Sequence, residues 1–256
     1  MRKIILVFIS MLLFSSLNLF AQNRTDDRGR KQGPWSKTYP NGVLQYEGTF
    51  EDDKPVGLFR HYYESGKLKI EQNHLPGDIS EVKMYEVDGK TLAATGRYKG
   101  RNKEGEWRYY SNNNLILTEN FKDGKKEGIA KVYSMTGRVI EEIPYKEDKI
   151  TGIRRHFLAD GELYSEISYK NDLEDGVYKL FEGNKKPVVE GHYKAGKRDG
   201  DWKFYDEDGK LVETLRYRDG VQLNIKEQKE EHGRTFDKRE KQKGRFREPD
   251  MRGGLF

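Results

Sequence analysis

The chain has 256 residues, of which 36% are charged, 34% apolar and 12% aromatic, with no cysteine. That composition excludes a thick apolar core, and 16 tyrosines exclude a disordered polymer over most of the length. Lack of cysteine excludes disulfides, thiolate metal sites, thiol nucleophiles and the lipid-bearing cysteine of a bacterial lipoprotein.

The formal net charge of +5 is unevenly placed. Residues 23–222 balance at 36 basic and 36 acidic side chains, so the excess lies in the two ends. A neutral body lacks the electrostatic footprint of a nucleic-acid binder, and none is expected as a partner.

The first predicted element is a targeting segment. Arg2 and Lys3 precede a mostly apolar run from Ile4 to Phe20, followed by Ala21-Gln22. This reads as a secretory signal peptide over 1–22 with a candidate cleavage site after Ala21, the alternative being an uncleaved membrane anchor. Residues 23–32 read as a linker.

A periodic region follows over 33–222. Glycines recur about every 24 residues, at Gly33, Gly57, Gly105, Gly128, Gly152, Gly176 and Gly200. One beat is missing and falls on Glu81. With each glycine as position zero, Trp35, Phe59, Trp107, Tyr178 and Trp202 come two residues later. Tyr62, Tyr110, Tyr133, Phe157, Phe181 and Tyr205 come five later. At plus nine lie turn residues such as Asn41-Gly42, Asp160-Gly161 and Asp208-Gly209, which predict tight two-residue hairpin turns with both central residues at positive φ. An aliphatic follows at plus eleven, a glutamate at plus fourteen and a closing aromatic near plus seventeen (Phe50, Tyr98, Phe121, Tyr145, Tyr169, Tyr193, Tyr217, with His74 in the odd unit). A looser turn leads to the next glycine. No helical period is sustained. The prediction is all-β: eight tandem hairpins of about 24 residues, about 16 strands, in an elongated single-layer antiparallel sheet.

The segment Gly200-Asp201-Trp202-Lys203-Phe204-Tyr205, with Asp208-Gly209-Lys210-Leu211 and Tyr217, resembles the bacterial variant of the MORN repeat. So does Gly33-Pro34-Trp35 with Tyr46-Glu47-Gly48. The resemblance covers about 190 residues in eight registered copies. It implies a twisted sheet of successive hairpins, no enzymatic activity by itself, and roles in scaffolding, protein binding or lipid contact. Some bacterial members of the family carry antitoxin labels.

Candidate chemistry is sparse. Glu47, Glu71, Glu119, Glu142, Glu166 and Glu190 form a column that pairs with Lys or Arg or, alternatively, offers carboxylates to a cation. His61 and His156 share a slot in distant repeats, while His74 replaces a packing aromatic, so no shared metal or base–nucleophile site is expected. No catalytic residue, metal or cofactor is assigned. The stretch Leu75, Pro76, Gly77 and Glu81, where the repeat is irregular, is the candidate partner-binding spot. The tail, 223–256, is a charged run expected to be flexible, with a membrane-surface tether as its alternative role.

These readings converge on an exported, non-enzymatic scaffold. It binds another macromolecule, a protein in the first instance, in the bacterial periplasm or cell envelope, through exposed aromatic and charged columns. The rival expectations are a peripheral membrane or lipid-associating protein, a carbohydrate-binding module and an antitoxin-like protein.

Overall fold

The computed structural model describes residues 23–183 and 186–224. The expected signal peptide 1–22, residues 184–185 and the expected tail from 225 onward lie outside the described residues. The chain falls into two compact units that divide after Arg101. No helix occurs among the described residues.

The N-terminal unit holds the first three repeats. Its strands are β1 (Arg24–Thr25), β2 (Lys31–Thr38), β3 (Leu44–Glu51), β4 (Lys54–Tyr62), β5 (Leu68–Leu75), β6 (Ile79–Tyr85) and β7 (Leu92–Lys99). Each pairs antiparallel with the next.

The C-terminal unit holds the other five repeats. It opens with β8 (Asn102–Ser111), β9 (Asn114–Lys122), β10 (Lys125–Lys126), β11 (Gly128–Tyr133), β12 (Val139–Lys146), β13 (Lys149–Ile150) and β14 (Gly152–Phe157). It continues with β15 (Leu163–Lys170), β16 (Leu173–Phe181), β17 (Pro187–Lys194), β18 (Lys197–Arg198), β19 (Gly200–Tyr205), β20 (Leu211–Arg218) and β21 (Val221–Gln222). The two-residue strands β10, β13 and β18 are leading ends of β11, β14 and β19, each cut off by one bulged residue.

In both units the strands pair antiparallel and the ladder is open. Among the described residues β1 pairs only with β2, and β21 only with β20. The expected linker 23–32 thus contains a short strand against Lys31 and Gln32. Beyond each short strand an asparagine stands in for backbone. Asn23 Oδ1 accepts from Ser36 N–H (2.9 Å), and Asn224 Oδ1 accepts from Arg216 N–H (3.0 Å) while its Nδ2 donates to Thr214 O (2.8 Å). Such capping blunts an exposed sheet edge.

The repeat glycines mark a change of register. On β12, Tyr145 faces Ile150 before the bulge and Glu142 faces Arg155 beyond it, a slip of two residues. The links at Gly57, Gly128, Gly176 and Gly200 show the same slip. All seven repeat glycines take positive φ, from 64° to 124°. The link from β5 to β6 has no slip: Leu75 faces Ile79 and Ile70 faces Met84 in one unbroken register. Glu81 therefore sits in ordinary strand backbone opposite Asn73 and Arg97, where no left-handed residue is needed. The residue opposite the closing aromatic Tyr98 is Ser80, not Glu81.

The two kinds of turn are the reverse of the expectation. Inside a repeat, Tyr39 N–H donates to Val43 O and Gly42 N–H to Tyr39 O, and Gly42 alone is left-handed. This is the three-residue loop that ends in a left-handed bulge residue. Between repeats the turn commonly has two residues, both at positive φ, as at Asp52-Asp53, Glu147-Asp148 and Asn171-Asp172, whereas the link from β5 to β6 has three, Pro76-Gly77-Asp78. Side chains of the preceding repeat hold these turns. Glu127 Oε2 accepts from Glu147 N–H (3.1 Å) and Asp175 Oδ2 from Ala195 N–H (3.1 Å).

A single layer buries its aromatics by laying them over glycine. Trp202 is 1% exposed. It covers Gly191, stacks on Tyr178 at 5.1 Å and meets Tyr193 edge-on at 5.1 Å. The Arg198 guanidinium lies 4.3 Å above the ring. Phe59 repeats the arrangement over Gly48, with Phe50 and His74 edge-on at 5.2 and 5.1 Å.

Candidate functional surface

Strand alternation gives each sheet an aromatic face and a polar face. The aromatic face is self-covered. Trp107 and Trp202 are each 1% exposed, and Phe59, Phe121, Tyr169 and Tyr178 are buried too. Trp35 is half-buried; its Nε1 donates to Arg24 O (3.1 Å) and Lys31 lies 4.8 Å from the ring. The expected exposed aromatic columns are therefore corrected. Rings of this size bury themselves first, since each removes roughly 150–250 Å² from water.

The polar face carries the glutamate column, in which basic and acidic residues alternate strand by strand. In the N-terminal unit Arg60 bridges Glu47 (3.7 Å) and Glu71 (3.4 Å). In the C-terminal unit Lys131 reaches Glu142 (3.5 Å), Arg155 reaches Glu142 (3.8 Å) and Glu166 (2.8 Å), and Lys179 reaches Glu190 (3.8 Å). Hydroxyls of the plus-five aromatics close the column. Tyr62 donates to Glu47 Oε1 (2.7 Å) and Tyr205 to Glu190 Oε2 (3.0 Å). Burial first, and then the bond to Glu47, pushes the Tyr62 phenol up to about 12. Tyr85, one residue early in the irregular repeat, makes the same bond to Glu71 (3.0 Å).

Glu119 leaves the column. The turn Asn112-Asn113 is a two-residue turn, one residue shorter than the Pro40-Asn41-Gly42 loop, so Thr118 faces Arg108 and Lys131 on the polar face. Glu119 faces Trp107 instead, is 8% exposed and pairs with Lys126.

The irregular stretch is a surface turn. Leu75, Pro76, Gly77 and Asp78 are exposed, and Glu81 is exposed and bonded to Arg97 (3.0 Å). His61 and His74 both pack on Phe59. Burial lowers both imidazoles, with Lys69 adding to the first and His61 to the second. Among the described residues no three of His, Asp and Glu gather in a metal-holding group.

Two further rows on the polar face of the C-terminal unit were not singled out from the sequence. Just after three of its repeat glycines, Gly128, Gly152 and Gly176, stand Ile129, Ile153 and Val177, exposed by 42%, 43% and 47%. Pro144 faces Ile129 and Ser168 faces Ile153, which completes the row. Beside it, at the ends of β9, β12, β15, β17 and β20, stand the exposed residues Lys122, Lys146, Lys170, Lys194 and Arg218. Their spacing of 24 was visible as a basic residue at plus eighteen, or plus seventeen in the shortened repeat.

Four segments, 31–52, 55–75, 150–171 and 198–219, match the model of the MORN repeat variant. The first two contain Gly33 and Gly57, the last two Gly152 and Gly200. With the same hairpin between them, the chain is a MORN-repeat protein. No curated protein matches it in sequence.

Proposed function

We propose that this chain is an exported, non-enzymatic scaffold that binds another protein in the bacterial periplasm or cell envelope. The observation that carries the reading is the polar face of the C-terminal unit. It repeats the same side chains from strand to strand and offers breadth rather than a cleft. Catalytic centres gather unlike groups at one point, whereas this face carries the same few groups at regular intervals. The match to the MORN repeat variant supports a repeat-based interaction role. Export rests on the pattern of residues 1–22 alone.

Two measurements test the reading. Mass spectrometry of the mature protein should find its first residue at Gln22, in the extracytoplasmic fraction. Cross-linking of the tagged chain in its own cells should return a discrete protein partner. A cytoplasmic chain starting at Met1, or a chain recovered alone, would overturn the corresponding half.

A further inference from the structure

We infer that the aliphatic and basic rows of the C-terminal unit form one docking surface for an acidic linear peptide with an apolar side chain at every third residue. The inference rests on the scaffold reading and names the surface and the partner's chemistry.

The aliphatic row runs from Ile129 through Pro144, Ile153 and Ser168 to Val177. Its three branched side chains are each more than two-fifths exposed. Charge bounds it at both ends. On β8 the same row holds Glu106, bonded to Arg108 (2.7 Å), and on β19 it holds Asp201, paired with Arg216 (3.8 Å). From Ile129 to Val177 the stripe crosses five main strands, β11, β12, β14, β15 and β16, or about 19 Å at about 4.8 Å per strand, with Asn120 on β9 and His192 on β17 between it and the charged ends.

The basic row lies two residues along the strands from the aliphatic row. Lys146 follows Pro144 at that spacing on β12, as Lys170 follows Ser168 on β15. Lys122, Lys146, Lys170, Lys194 and Arg218 are exposed and have no carboxylate within salt-bridge distance among the described residues. Their neighbours in the ion ladder, Lys131, Arg155 and Lys179, are paired with Glu142, Glu166 and Glu190. Nearby acids are engaged elsewhere: Asp148 Oδ1 accepts from Lys126 N–H (2.7 Å) and Asp172 Oδ1 from Ile150 N–H (2.8 Å).

The fold also tolerates an electrostatic cost in this place. Lys122 directly faces Lys125, Lys146 faces Lys149 and Lys194 faces Lys197 across the sheet. Like charges directly opposite destabilise a strand pair. Among the described residues only Lys125 of these six has a carboxylate within salt-bridge distance, Glu147 at 2.6 Å. An anionic occupant relieves the repulsion.

Spacing selects the shape of the occupant. Equivalent side chains recur every second main strand, about 9.6 Å apart. A polyproline-type extended chain repeats every three residues over about 9.3 Å, so one apolar and one acidic position per turn keep step with both rows. An α-helix needs between six and seven residues for the same advance and drifts out of register. A lipid surface fits less well. The aliphatic row is narrow, carries no tryptophan, and borders Glu142, Glu166 and Glu190, which an anionic headgroup layer would repel.

The N-terminal unit provides a control. Leu58 occupies the aliphatic slot and is 44% exposed, but the neighbouring basic slots hold Glu51 and Leu75.

The test uses the full chain and a labelled peptide of repeated Leu-Pro-Glu, with a peptide of the same composition in separate leucine and glutamate blocks, read by fluorescence anisotropy. The periodic peptide should bind, and the block peptide at least tenfold more weakly. Lys146→Glu/Lys170→Glu and Ile153→Asp should each weaken binding at least tenfold with an unchanged circular dichroism spectrum. Leu58→Asp should leave it unchanged. No binding of the periodic peptide, equal binding of both peptides, or an equal loss with Leu58→Asp overturns the inference, as does stronger binding to phosphatidylglycerol vesicles. Failure here is distinguishable from failure of the scaffold reading. If Lys146→Glu/Lys170→Glu still captures the wild-type chain's cellular partner, this surface is wrong and the scaffold stands.

Discussion

Replacing Gly191 by alanine tests how a single-layer sheet buries a tryptophan. An added Cβ would lie 2.4, 2.5 and 2.8 Å from three ring carbons of Trp202. Carbon atoms settle at about 3.5–4.0 Å, so the ring must retreat by about 1 Å. It has nowhere favourable to go, with Tyr178, Tyr193 and Arg198 against it. Burying a ring of roughly 200 Å² is worth about 5 kcal/mol at about 25 cal/mol per Å². A gap of that size forfeits about a quarter to a half of the contact energy. The expected loss is therefore about 1–3 kcal/mol, the usual range for overpacking. Native-state hydrogen exchange over β17 and β19 would report it. The decisive step is a double-mutant cycle with Trp202→Leu. In that background Gly191→Ala should be neutral or stabilising by about 0.5–1 kcal/mol, because alanine suits a strand better than glycine. An equal cost in both backgrounds would refute the reasoning.

Other outcomes follow from the same contacts. Gly57→Ala, at φ of 64°, should cost about 1–2 kcal/mol in urea unfolding, whereas Glu81→Gly should cost about 0.5–1 kcal/mol rather than restore a missing stabiliser. Arg155→Ala releases Glu142 and Glu166 on a partly exposed face; about 0.5–1 kcal/mol should be lost in low salt and less in about 1 M salt. The folded N-terminal unit holds His61 and His74 below their ordinary pKa, while the unfolded chain takes up protons near 6.5. Their contribution is complete above about pH 6.5 and is lost as pH falls below it. The urea midpoint of that unit should drop between about pH 7.5 and 5, and His61→Phe/His74→Phe should flatten the dependence.

The strands were legible in the sequence because the aromatics and glycines keep strict step with the pleat. Which turn was tight was not legible. Asn-Gly and Asp-Gly suit a two-residue turn and equally supply the end of a three-residue loop. The link turns use Glu147 and Ala195 at positive φ, and what holds them comes from side chains about 20 residues earlier. The missing glycine at Glu81 pointed to an irregular place and suggested a binding spot. Its physical cause is a link without a register slip. Glu119 read as one more rung of a column because residue counting cannot see that Asn112-Asn113 shortens its hairpin by one, which turns the side chain to the opposite face. The basic and aliphatic rows kept the repeat's period too, but only strand pairing sets Lys146 beside the stripe that contains Ile153.

The contact face is tested most directly in the living cell. A photo-crosslinking phenylalanine analogue would be placed at Ile153, and in separate strains at Leu58 and Leu75. A discrete adduct from position 153, with none from 58 or 75, is the predicted result. An adduct from position 75 with none from 153 would contradict the account and return the binding site to the irregular repeat.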